Sequence, residues 1–124
     1  MIFLDTHVVV WLYEGRIELF PQSVKKIIND NDLLISPMVT LELKYLNENK
    51  HISGEPHAII SDLENRIGLQ TANTPFHDII INAMEIHWTR DPFDRIITAH
   101  TLTEQSRLIT ADTNIRENFT SALW

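Results

Sequence analysis

Cysteine is absent from the 124 residues, glycine occurs three times and proline five. The first absence excludes disulfide staples and thiolate metal sites, and it fits a reducing cytoplasm, the expected location. The second leaves no stretch to read as a linker, and no repeat or low-complexity tract is present. No apolar run approaches the roughly 20 residues that cross a bilayer. The chain opens straight into Ile2-Phe3-Leu4-Asp5, without a basic stretch or cleavage site, so neither a membrane partner nor export is expected. Basic residues are also scarce: ten Lys and Arg stand against seventeen Asp and Glu, for a net charge of −7. That balance argues against a coat protein held to nucleic acid by a basic surface. It leaves room for an enzyme that keeps cations in a carboxylate pocket.

What is present is ordinary for one soluble domain, 44% apolar and 22% charged, so residues 1–124 are expected to form a single core. Met1 to Leu4 reads as a buried strand closed by Asp5, and Thr6 to Tyr13 as a short helix ending near Gly15. Helical spacing of Val24, Ile27 and Ile28 marks Pro21 to Asn29. Leu33 to Ile35 is a second strand. Ser36-Pro37 then supplies a cap and a first-turn proline for a helix to about Asn49. Further helices are expected over Glu55 to Ile67, from Thr74-Pro75 to Ile86, and from Asp91-Pro92 to about Gln105. Short strands are expected at Gly68 to Thr71, Arg107 to Ala111 and near Ala122 to Trp124, with a short helix before the last. Strands alternating with helices imply a three-layer α/β/α fold around a mainly parallel sheet. In such folds ligands bind at the carboxyl ends of the strands.

Two apolar strands end in an aspartate, Asp5 and Asp112, and a parallel sheet would bring both to that edge. Each can equally be the cap of the next helix. Glu42 has Met38, Val39, Tyr45 and Leu46 as its helical neighbours, which places it on a buried face where an unpaired carboxylate is costly. The alternatives are a structural ion pair or a helix edge. Asp94 follows Asp91 and Pro92 in the first turn of its helix, where an acid favours the helix dipole and also sits beside free N–H groups. Such acids together suit magnesium or manganese, which take oxygen ligands and retain water. Cations held there can neutralise a phosphodiester and activate water against it.

Taken in order, Leu4-Asp5-Thr6-His7-Val8-Val9-Val10-Trp11-Leu12, Ile35-Ser36-Pro37-Met38-Val39-Thr40-Leu41-Glu42-Leu43, Trp88-Thr89-Arg90-Asp91-Pro92-Phe93-Asp94-Arg95-Ile96-Ile97 and Leu108-Ile109-Thr110-Ala111-Asp112 resemble the PIN-domain ribonucleases, in particular the VapC-type toxins of toxin–antitoxin pairs. The resemblance covers nearly the whole chain. It implies that Asp5, Glu42 and Asp94 bind Mg2+ or Mn2+, with Asp112 at a fourth, less uniform acidic position. Thr6 and Thr110 fall at hydroxyl positions that support the site's carboxylates or water. It further implies RNA hydrolysis leaving 5′-phosphate and 3′-hydroxyl ends, a homodimer, and a small antitoxin laid across the acidic pocket. One departure is Leu41, where many relatives carry an aromatic residue before the acid.

Other features carry less. The six histidines lack a His-Glu-x-x-His or similar zinc spacing, so His7, His87 and His100 read as packing or surface residues. Arg90 and Arg95 are candidate RNA contacts, or partners of Asp91. Asp91 itself reads as a cap. Lys25, Lys26, Lys44 and Lys50 form a basic rim or are merely solvated. Trp11, Trp88 and Trp124 read as core or interface anchors. A receiver-like phosphoacceptor domain would need adjacent acids after the first strand and a late lysine, and a haloacid-dehalogenase-type phosphatase would need an acid at position 7. Neither condition is met. The remaining rival is a catalytically inactive PIN fold kept for binding a partner.

Overall fold

A computed structural model describes residues 1–124. The short apolar runs become five strands: β1 (Ile2–Leu4), β2 (Leu33–Ile35), β3 (Gln70–Thr71), β4 (Arg107–Ile109) and β5 (Ala122–Leu123). Between them lie α1 (Thr6–Glu14), α2 (Gln22–Asp30), α3 (Pro37–Glu48), α4 (Pro56–Ile67), α5 (Phe76–Met84), α6 (Pro92–Thr103) and α7 (Thr113–Asn118). Every strand pair is parallel, in the order β3-β2-β1-β4-β5, giving the three-layer α/β/α arrangement. β1 is central and buried throughout, as the unbroken Ile-Phe-Leu run demands of a strand covered on both faces. Its neighbours are β2 on one side and β4 on the other. The chain reverses its direction of travel across the sheet there, so a crevice opens beyond the ends of β1 and β4. One cluster of 22 buried residues, including Phe3, Val9, Ile35, Leu43, Leu63 and Ile97, underlies the whole sheet.

Local chemistry sets several helix ends. Ser36 and Asp91 each accept a hydrogen bond from a first-turn N–H and are each followed by proline. Gly15 and Gly68 close α1 and α4 at φ 72° and 70°. A side chain would meet nothing at Gly15, so Gly15→Ala should cost only its backbone strain, about 1 kcal/mol. Urea unfolding should show a lower midpoint with an unchanged slope.

Four local expectations are corrected. Met1 lies outside β1 and is exposed, and the β4 ladder ends at Ile109, although the Thr110 N–H still bonds the Leu123 carbonyl. Thr74 does not cap α5. Pro75 holds that position without a side-chain cap, because the Thr74 hydroxyl is engaged with His100 and Glu104. Tyr45, expected on the buried face of α3, is 53% exposed and packs its ring on Phe93 instead.

Candidate active site

A cleft of about 380 Å³ lies beyond the carboxyl ends of β1 and β4. Asp5, Glu42, Asp91, Asp94 and Asp112 all line it, with Thr6 and His7, and Val10, Trp11, Leu46 and Ile52 form an apolar wall. Five carboxylates therefore meet in one place: Asp5 from the end of β1, Asp91 and Asp94 from the start of α6, Asp112 from the start of α7 and Glu42 from the middle of α3.

The capping and clustering readings of these acids turn out to be compatible, because a carboxylate has two oxygens. Asp5 is buried and caps α1, with Oδ1 accepting from the Thr6 N–H at 2.8 Å, while Oδ2 accepts from the Thr110 hydroxyl at 2.7 Å. Asp112 caps α7 through Oδ1 and the Ile115 N–H at 2.9 Å. Asp91 caps α6 through Oδ1, which accepts from the N–H groups of Phe93 and Asp94. Glu42, half-buried on α3, accepts from the Thr6 hydroxyl. The two threonines thus orient the two carboxylates on which they act, and Thr110 is itself held by the Asp112 N–H at 3.1 Å.

Electrostatics distinguish the members. Burial first, then the neighbouring charges of Asp5 and Asp91, raise Glu42 to about 7, against the opposing pull of the Thr6 hydroxyl. Burial also raises Asp94 to about 7, helped by Asp5, Asp91, Asp112 and Glu42. Burial and crowding by like charge both disfavour the ionised form of these acids. Between about pH 4 and 7 the folded protein consequently binds more protons than the unfolded chain, so stability falls as pH rises through that window. Solvent screening reduces the effect to roughly 1–2 kcal/mol per group. In EDTA the thermal midpoint should therefore be higher near pH 5.5 than near pH 8. Equal midpoints in EDTA would show that Glu42 and Asp94 are not raised by their surroundings.

His7 belongs to this cleft, although the sequence alone assigned it to packing or surface. Its Nε2 accepts from the Ala111 N–H at 2.9 Å, so a neutral ring carries its proton on Nδ1, 3.7 Å from Asp5 Oδ2. The ring rests on Trp11, with centroids 5.0 Å apart. No local signal could reveal this, since Ala111 lies 104 residues away. The arginines are not part of the cleft lining. Arg95 donates through Nε to the Ala83 carbonyl at 2.9 Å, at the end of α5, and Arg90 is exposed. Neither forms an ion pair with Asp91. Trp11, Phe20 and Trp124 form an aromatic cluster behind the cleft, with centroids 5.4–6.0 Å apart.

The all-oxygen donor set suits a hard divalent cation. As they stand, no three His, Asp or Glu side chains are close enough together to hold an ion between them, so binding one would require these carboxylates to close in on it.

The family model of the PIN domain matches residues 2–118. The chain belongs to the PIN domain family. Among solved structures, this PIN domain is similar to a chain of VapBC2 from Rickettsia felis bound to a DNA fragment from the promoter. That match has a TM-score of 0.73 and 17% identity, covering 100% of this chain and 98% of the other. It is also similar to a chain of DNA-bound VapBC from Salmonella typhimurium, with a TM-score of 0.64 and 19% identity over 98% and 93% of the two chains. At such identities the likeness speaks for the fold. No curated protein matches the sequence. This PIN domain has no helix long and apolar enough to cross a membrane.

Proposed function

We propose that this single PIN domain is a divalent-metal-dependent endoribonuclease, the toxin of a type II toxin–antitoxin pair. The observation that carries the reading is the meeting of Asp5, Glu42, Asp94 and Asp112 in one cleft at the sheet's crevice. Asp5, Glu42 and Asp94 would hold Mg2+ or Mn2+, and Asp112 would support them. A bound cation supplies neutralisation of phosphate charge and activation of water. The chain's own groups do the rest. The Thr6 N–H and the Thr110 hydroxyl hold Asp5 in one orientation, and the Thr6 hydroxyl holds Glu42. His7 offers an N–H donor at the cleft that a phosphate oxygen can accept, while Arg90, free on the surface, can meet the RNA backbone outside it.

The acid cluster also accounts for an antitoxin. A partner segment that lays a basic side chain into the cleft would relieve the like-charge repulsion and block RNA at once. The two similar structures, both VapBC assemblies on DNA, support that partner. Leu41 and Phe76, which are exposed and share one groove, offer apolar area for a homodimer.

The deciding experiment is brief induction of the protein followed by mapping of RNA 5′ ends, paired with cleavage in vitro in Mn2+ and in EDTA. Fragments carrying 5′-phosphates, formed only with metal, are expected. Antitoxin capture without cleavage of any RNA would leave a binding PIN fold in place of an enzyme.

A further inference from the structure

Helices α3 and α6 touch start to end. Ser36, the cap of α3, meets His100 late in α6, and Tyr45 late in α3 packs on Phe93 early in α6, with ring centroids 5.6 Å apart. The pair is therefore antiparallel and fastened at both ends. Glu42 lies six residues after Ser36 and Asp94 six residues before His100, so each acid is about 9 Å along its helix from the Ser36–His100 contact.

His100 is fully buried, and both ring nitrogens are engaged: Nδ1 lies 2.8 Å from Ser36 Oγ and Nε2 lies 2.8 Å from Thr74 Oγ1. The protons along this chain can be assigned. The Thr74 hydroxyl donates to the Glu104 carboxylate, so toward His100 it can only accept. Nε2 therefore carries the proton, and Nδ1 accepts from Ser36, whose oxygen in turn accepts the Met38 N–H. Burial holds the ring below the ordinary histidine range, against the pull of Glu104, which keeps it neutral and able to accept. The chain runs in one direction, from the first turn of α3 through α6 to a carboxylate.

We propose that His100 is a positioning residue for the acidic cleft: its hydrogen bond to Ser36 fixes the register of α3 against α6, its bond to Thr74 holds the ring in the orientation and tautomer that bond requires, and the register sets the spacing of Glu42 and Asp94 on which cation affinity depends. The inference rests on the reading that these acids bind a cation. Apolar helix packing tolerates small slides, whereas a metal site needs its ligands placed within about 0.5 Å. A buried directional hydrogen bond supplies the missing restraint, as buried polar groups do when they fix register elsewhere.

The test uses the full chain. Histidine 15N NMR should show the neutral Nε2–H tautomer for His100. Mn2+ titration followed by EPR should give about ten-fold weaker binding in His100→Leu, with the fold retained by circular dichroism. His100→Gln, whose carboxamide can accept from Ser36 and donate to Thr74, should bind within about three-fold of wild type. A folded His100→Leu that binds as tightly as wild type would overturn the proposal, as would an Nδ1–H tautomer or a His100→Gln as weak as His100→Leu. If His100→Leu does not fold, Ser36→Ala cuts the same link and must weaken Mn2+ binding for the proposal to stand. A wild type that shows the expected tautomer but binds no Mn2+ would reject the cation reading itself, and the positioning role with it.

Discussion

Asp94→Asn is expected to abolish RNA cleavage, by roughly three orders of magnitude, while making the metal-free protein more stable at pH 8. The two effects share one cause. Asp94 is raised to about 7 by burial and by four neighbouring carboxylates, so above that pH its charge is held against the fold. An amide of the same shape removes the charge and leaves the α6 cap intact, since Asp91 takes the Asp94 N–H whatever the side chain at 94. Relief of roughly 1–2 kcal/mol should raise the thermal midpoint by several degrees, measured in EDTA by circular dichroism. The gain should vanish at pH 5, where the native acid is already protonated. A variant that loses cleavage without gaining stability at pH 8 would mean that Asp94 is not crowded by charge.

Asp5→Ala should also abolish cleavage, but with the opposite sign for stability. Asp5 is nearly fully buried, and both of its oxygens are engaged. Truncation removes the α1 cap, worth about 1 kcal/mol, and takes from the buried Thr110 hydroxyl the carboxylate that accepts its proton, a further 1–3 kcal/mol. Loss of the Asp5 charge returns part of this by easing Asp94 and Glu42. A net destabilisation of about 2 kcal/mol should appear in urea unfolding. Cleavage retained by both variants would remove these acids from the chemistry, whatever their effect on the fold.

The alternation of strands and helices was legible because each apolar run is short and each Ser-Pro or Asp-Pro pair is a local signal. Those signals failed where a distant partner outweighed them. Thr74-Pro75 has the same form as Ser36-Pro37, yet the Thr74 hydroxyl goes to Glu104 and His100 rather than to its own helix. Tyr45 satisfies the periodicity of a buried face, but its aromatic partner is Phe93 near the surface. At the candidate site the acids could be nominated from strand ends and helix starts. His7 could not, since its role in the cleft depends on the Ala111 N–H across the sheet. Nor could the sequence tell that Arg95 is turned toward Ala83, because only the packing of α5 on α6 supplies that carbonyl.

The central strand β1 and its neighbour β4 are distant in the chain, and the Asp5 and Thr110 side chains that bond each other are 105 residues apart. During translation the Asp5 carboxylate emerges well before Thr110 and must wait for β4 before the cleft can assemble around it. A ribosome-bound fragment lacking the β4 region has no such cleft. The acidic cleft therefore exists only once β4 has reached its place beside β1.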